Sequence, residues 1–255
     1  MDRFPGGQYG LVSSRLPAML QPPIGFGHRG AMADAPENTI VGFRLALEME
    51  ATGVESDVWL TADGVPVLDH DGKAGPRLRR RPISSMNRSE LPDHIPTLAE
   101  LYEVVGPRFP ISLDVKDPAA FNPAVELARS IDPAGDAERN LWLCQPDLAH
   151  LMDWRPRTTA RLVNSVRIDR LPHGLERRVA ELRDLSIDAV NLFHNEWNGG
   201  RIALAHRFER LALGWGCRFE RELAALIDGG IDAVYSDHVD RMMAVINVYY
   251  GPEAS

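Results

Sequence analysis

Eight short apolar runs, separated by loops or amphipathic stretches, most limit how this chain can fold. They read as strands at 24–28, 53–60, 111–116, 141–144, 160–164, 189–193, 211–215 and 233–236. Helical patterns fill most of the gaps. One starts from a cap at Asn38 or Thr39 and runs to about residue 50, and one runs from a Thr97 cap to 105. Others lie near 123–130, 173–185, 201–206, 218–227 and 240–248. Strands joined by helical crossovers argue for a parallel sheet with helices on its face. The exception is Thr61-Ala62-Asp63-Gly64, a turn signal followed by the apolar run 65–68, which should fold back on the second strand as a hairpin. A length of 255 residues fits one large α/β barrel and would also allow two small domains.

No linker or low-complexity run divides the chain. Residues 1–23, punctuated by Pro5, Pro17, Pro22 and Pro23, read as an irregular N-terminal arm, and 24–255 as the folded unit. The phrase Ile-Asp-Ala-Val occurs at 187–190 and 231–234, each time after a predicted helix; this is recurrent helix-to-strand chemistry rather than a repeat period. Residues 71–96 look loop-like. They carry Arg77, Arg79, Arg80, Arg81 and Arg88, either a solvated loop or an attraction for an anionic diester or lipid headgroup.

Chemistry concentrates between residues 27 and 71. His28-Arg29-Gly30, Pro36-Glu37-Asn38-Thr39, Glu55-Ser56-Asp57 and His70-Asp71 follow one another there. Glu55 and Asp57 are two apart on a strand and so share a face, with Val54 and Val58 on the other. Folding back at Asp63-Gly64 would set residue 70 opposite 55 or 57 and bring an imidazole beside the acids. Two inward acids without a cation would be costly, and carboxylate oxygens suit Mg²⁺ or Ca²⁺ better than Zn²⁺. Histidines with ordinary pKa values near ~6.5 can take and give protons at neutrality. Arg29 is either a planar fork for phosphate or a bridge to Glu37 or Glu55.

In order and spacing, the series His-Arg-Gly, Pro-Glu-Asn-Thr, Glu-x-Asp-Val, Thr-x-Asp-Gly and His-Asp resembles the glycerophosphodiester phosphodiesterase family. The match is closest over 27–71, clear again at 113–116, looser over 188–237 and absent before about residue 24. The resemblance implies a TIM-type (β/α)8 barrel with a short β-hairpin after strand 2. It also implies a divalent cation, Mg²⁺ or Ca²⁺, held by Glu55, Asp57 and Asp114. His28 and His70 would then be the catalytic acid–base pair, Arg29 and Lys116 the phosphate ligands, and Trp215 a wall of the substrate pocket. Two departures stand out. The family's third metal acid is usually Glu, whereas Leu113-Asp114-Val115-Lys116 presents Asp, whose carboxylate sits back by ~1.5 Å. Asp114 and Lys116 would also serve as a simple ion pair, and Trp215 as simple packing. After His70-Asp71, Gly72-Lys73-Ala74-Gly75-Pro76 replaces the usual longer insertion.

A net charge of −8 argues against a general nucleic-acid binder, while a bound cation could still make a phosphate site. Two cysteines give no disulfide framework and suit a reducing cytoplasm; no apolar run reaches the length of a membrane span, and the N-terminus is not a signal peptide. The expectation is therefore a metal-dependent hydrolase of a small phosphodiester, most simply a glycerophosphodiester giving glycerol 3-phosphate and an alcohol, in transient contact with lipid headgroups at most. Two alternatives use the same residues: a related barrel acting on lysophospholipids or sphingolipids, and a degenerate barrel that binds phosphodiesters without turnover.

Overall fold

The structure, a computed structural model, describes residues 15–76 and 79–251. Most of the expected arm (1–14) and Arg77 lie outside the described residues. In chain order the strands are β1 (Ile24–Gly27), β2 (Gly53–Leu60), β3 (Pro66–Leu68), β4 (Lys73–Ala74), β5 (Arg81–Pro82), β6 (Ile111–Val115), β7 (Leu141–Gln145), β8 (Arg161–Ser165), β9 (Ala189–Phe193), β10 (Leu211–Cys217) and β11 (Ala233–Ser236). The helices are α1 (Ile40–Glu48), α2 (Leu98–Val105), α3 (Phe121–Ile131), α4 (Asp136–Arg139), α5 (Leu148–Trp154), α6 (Gly174–Asp184), α7 (Gly199–Arg207), α8 (Glu220–Asp228) and α9 (Val239–Tyr250). Strands β1, β2 and β6 to β11 pair in parallel, and β1 closes on both β2 and β11. This is the expected eight-stranded barrel with helices between its strands.

Both faces of the barrel wall are buried, which is why its strands read as nearly unbroken apolar runs. Val54, Val58, Leu113 and Leu143 face the helices. Phe26, Trp142, Val163, Leu213 and Tyr235 fill the interior, with Phe26 stacked on Tyr235 at 4.9 Å and edge-on to Trp142 at 5.8 Å. Cys144 and Cys217 are buried and free, and burial pushes both thiols up to about 12. The Thr39 hydroxyl caps α1 by accepting from the Gly42 amide at 3.1 Å, and Thr97 forms a reciprocal capping box with Glu100 on α2. Helix α5, capped by Asp147, was not expected from the sequence; its seven residues are too few for a clear period. No helix among the described residues is long and apolar enough to cross a membrane.

The hairpin forms, but with the opposite parity to the expectation. Val58 pairs with Leu68 and Leu60 with Pro66, so the register continues with residue 69 opposite Asp57 and residue 70 opposite Ser56. The Asp69 amide accordingly donates to the Asp57 carbonyl at 3.1 Å. The reason is an odd loop. Thr61 still bonds Val65, leaving three residues, Ala62-Asp63-Gly64, with Gly64 at φ +81°. One extra residue moves every later side chain to the other face.

Residues 71–76 and 79–96 are more ordered than a loop. Strands β4 and β5 form a small ribbon, and Val67, Ala74, Ile83, Met86, Leu91 and Ile95 bury their own cluster beneath it. The arginines here engage local acids: Arg80 pairs with Asp71, Arg81 with Glu90 and Arg88 with Glu100.

At the opposite end, residues 15–23 cross the amino-terminal mouth of the barrel. Leu20 packs against the interior cluster. Asp232, fully buried, organises this closure. Its Oδ1 accepts from the amides of Met19 at 2.7 Å and Leu20 at 3.0 Å. Its Oδ2 accepts from the Ala212 amide and from His206 Nε2, each at 2.7 Å. Asp232→Ala leaves these donors unpaired and should destabilise the protein by about 3 kcal/mol. Urea unfolding measures this; a loss well under 1 kcal/mol would show that the donors find water instead.

Candidate active site

The carboxyl ends of the strands open on a cavity of about 280 Å³ lined by His28, Arg29, Glu55, Asp57, Asp114, Lys116, Ser165, Asn191 and Trp215, among others. Seven of the eight site residues expected from the sequence therefore meet; His70 does not.

His28 leaves β1 with its amide donating to the Ser236 carbonyl at 3.0 Å. Its Nδ1 lies 2.6 Å from Asp237 Oδ1 and its Nε2 3.7 Å from Glu55 Oε2. Asp237 thus holds the Nδ1–H tautomer and turns Nε2 toward Glu55. Burial disfavours the imidazolium, but the Glu55 and Asp237 carboxylates outweigh it and hold His28 above its ordinary value. The hydrogen bond with His28 keeps Asp237 below the usual carboxylate range.

The loop after His28 is a tight reversal, with Arg29 at φ +51° and Gly30 at φ +84°. A Cβ on Gly30 would lie 2.7 Å from the Gly42 carbonyl carbon, so only glycine lets the loop pack on α1. The reversal turns the Arg29 amide onto Glu55 Oε2 at 2.9 Å. It also sets the Arg29 guanidinium between Glu37, 2.5 Å from Nη1, and Asp57, 3.3 Å from Nε.

Glu55 and Asp57 face inward as expected, 7% and 2% exposed. Parallel pairing sets Asp57 beside Asp114. Asp57 is met by Lys116 Nζ at 3.2 Å and by Asn38 Nδ2 at 3.1 Å. Lys116 also ion-pairs with Asp114. Asn38, at φ +54°, accepts from the Ser56 hydroxyl at 2.7 Å, which aims its amide at Asp57. Glu55 fares worse: burial, then repulsion from Asp57 and Asp114, pushes its carboxyl up to about 7 even with His28 nearby.

Trp215 is aimed by an irregularity in β10 between Gly214 and Cys217. Gly216 sits at φ +80°, where a Cβ would strike the Phe193 ring at 2.4 Å, and Phe193 packs edge-on to Trp215 at 4.8 Å. Asn191, 5% exposed, donates to the Ser165 hydroxyl at 3.2 Å, and its buried Oδ1 has no partner among the described residues.

His70 stands apart from this cavity. Its Nδ1 lies 3.0 Å from Asp71 Oδ1, Asp71 is held by Arg80 at 2.8 Å, and the ring is not part of the cavity wall. The odd hairpin loop is the cause, since residue 70 follows the register of Ser56 rather than of Glu55 or Asp57. Asp237, Asn38, Ser165 and Asn191 were not assigned to the site from sequence. For Asp237 a signal existed: it is an acid one residue past the last strand, at the end where barrel sites lie.

Among the described residues no three acidic, histidine or cysteine side chains converge as a ready ligand set, because Lys116 and Arg29 stand against Asp57 and Asp114. The donor chemistry still fits a hard divalent cation. Three carboxylates face one cavity, and all three donate the hard oxygens that such a cation takes.

Fold and mouth together define a (β/α)8 barrel with an acid–imidazole–guanidinium cluster at its carboxyl end. Residues 28–241 match the glycerophosphoryl diester phosphodiesterase family, and the chain belongs to it. Glycerophosphodiester phosphodiesterase 1 of Rattus norvegicus is 35% identical over 139 residues, which cover 48% of this chain and 38% of that protein. Glycerophosphodiester phosphodiesterase domain-containing protein 5 of Homo sapiens is 41% identical over 78 residues, 27% of this chain and 13% of that one. The matches thus span well under two thirds of these curated relatives. In fold, the chain is similar to glycerophosphodiester phosphodiesterase from Thermotoga maritima, with a TM-score of 0.75 at 23% identity over 88% of this chain and 98% of the other. It is equally similar to an Oleispira antarctica phosphodiesterase solved with the product sn-glycerol-3-phosphate, with a TM-score of 0.75 at 22% identity over 88% and 97%.

The raised Glu55 makes stability pH-dependent. Below its unfolded value of 4.5 the group is protonated in both states and contributes nothing. From 4.5 to about 7 the unfolded chain loses the proton while the folded one keeps it, so folding weakens as pH rises. In chelator, Glu55→Gln should therefore match the parent near pH 4 and exceed it at pH 8 by on the order of 2 kcal/mol. Urea melts at the two pH values read this; equal differences at both would mean Glu55 ionises normally.

Proposed function

We propose that this protein hydrolyses a glycerophosphodiester, releasing glycerol 3-phosphate and an alcohol with consumption of one water. The observation that carries the reading is His28, held between Asp237 and Glu55 at a cavity that also presents Arg29 and Lys116. Family membership supports it, as does the glycerol 3-phosphate bound by the Oleispira relative.

Arg29 and Lys116 bind the non-bridging oxygens of the diester, Arg29 as a fork and Lys116 as a point charge. Glu55, Asp57 and Asp114 would hold a divalent cation, Mg²⁺ or Ca²⁺, which when bound supplies Lewis-acid polarisation and charge neutralisation at phosphate. His28 is the proton donor to the leaving oxygen, with Asp237 on Nδ1 leaving Nε2 to carry the transferred proton. His70 is its counterpart for removing the nucleophile's proton, a role that requires the ring to leave Asp71. Asn191 and Ser165 offer an acceptor and a hydroxyl to the substrate's own hydroxyls.

Glycerophosphocholine incubated with Mg²⁺ or Ca²⁺, with and without chelator, should yield glycerol 3-phosphate only when the metal is free to bind; release at full rate in chelator would remove the cation from the reaction. Calorimetric titration should show divalent-ion binding that Glu55→Ala abolishes while the fold is kept. Unchanged affinity would make these acids structural.

His28→Ala and His70→Ala should each lower kcat by roughly 10²–10⁴-fold. Leaving-group chemistry separates the two roles. A nitrophenolate departs without a proton, so His28→Ala should recover strongly on a nitrophenyl diester and His70→Ala should not. Near-normal turnover of glycerophosphodiesters by both variants would sink the acid–base assignment.

A further inference from the structure

Next to the central cavity lies a second cleft of about 360 Å³ that shares Ser165 and Trp215 with it. Its wall carries three arginines. Arg167 and Arg170 come from the turn after β8, and Arg178 from α6. No acidic side chain lines the cleft among the described residues.

The arginines are held differently. Arg167 Nε lies 2.8 Å from Glu196, and its guanidinium sits over the Phe193 ring at 4.7 Å. Arg178 donates to Asn164 Oδ1 at 2.8 Å and approaches Glu181 at 3.4 Å. These contacts fix two forks in place and offset part of their charge. Arg170 is exposed, and its guanidinium makes no ion pair or hydrogen bond among the described residues. Where the two cavities meet, Asn191 offers a buried acceptor without a partner, beside the Ser165 hydroxyl. A chain of atoms leaving the central phosphate site past Ser165 thus meets first a hydroxyl-binding pair and then a ring of guanidinium groups.

We propose that the arginine cleft binds a phosphate monoester carried by a polyol arm of the substrate. The preferred substrate class is then a glycerophosphodiester in which one alcohol bears a further phosphate. This rests on the hydrolytic reading above. Guanidinium forks match a phosphate dianion, and their positive charge disfavours a cationic headgroup such as choline.

The test compares glycerophosphoglycerol with its terminal phosphate monoester. The parent protein should prefer the phosphorylated diester in kcat/KM by about tenfold or more. Arg170→Ala should bring that ratio close to one, and Arg170→Lys should keep part of it. Because Arg170 is exposed, neither change threatens the fold. A parent ratio near one, or a ratio that survives Arg170→Glu, overturns the proposal. Calorimetry with glycerol 1,3-bisphosphate and glycerol 3-phosphate separates the cleft from the chemistry. Tighter binding of the bisphosphate, lost in Arg170→Glu and seen without turnover of either diester, supports the cleft and overturns hydrolysis. Equal turnover of both diesters with equal binding of both ligands supports hydrolysis and overturns the cleft.

Discussion

The buried carboxylate of Asp57 is the constraint on which the site depends. At 2% exposure an unpartnered acid would cost several kcal/mol, and three groups from two segments prevent that. Lys116 comes from the end of β6, and Arg29 and Asn38 from the loop between β1 and α1. Each partner is itself tethered: Lys116 by Asp114, Arg29 by Glu37, Asn38 by Ser56. Two of the three sit at positive φ, a local strain that the surrounding hydrogen bonds sustain. The cost of hiding one acid thus explains why separate short motifs belong together.

The two ends of the barrel answer burial differently. At the amino-terminal end Asp232 is fully buried and fully satisfied, and it ties the entering chain to α7 and β10. At the carboxyl end Glu55 is left raised to about 7, Asn191 Oδ1 is left without a partner, and the cations crowd one side of the cavity. Stability is concentrated at the closed end. Unspent polar chemistry is concentrated at the open one, which is where a barrel keeps its site.

Charge is distributed to the same effect. The chain carries −8 overall, yet the cavity mouth presents Arg29 and Lys116, and the adjoining cleft adds Arg167, Arg170 and Arg178. The cavity also holds Glu55, Asp57 and Asp114, so it is the arginines of the adjoining cleft that draw an anion toward the mouth. The arginines of the ribbon after β3 do not contribute equally, because most of them are taken up by Asp71, Glu90 and Glu100.

Sequence alone determined the periodic features. Alternation of apolar runs with helical patterns marked the eight strands, since a wall buried on both faces must be written in continuous hydrophobics, and a spacing of two put Glu55 and Asp57 on one face. Thr39 and Thr97 were legible as caps because capping is a local bond. What tertiary structure decided are matters of one residue or of long range. The parity of the β2–β3 hairpin turned on whether Gly64 closes a loop of two residues or three, and that choice moved His70 off the cavity wall. Asp237 meets His28 across 209 positions of chain, a pairing that no local pattern encodes. The arginine cleft is the same kind of fact: its three guanidinium groups lie within twelve residues of one another, but only the closure of the barrel sets them beside Trp215, 37 to 48 positions later and next to the central cavity.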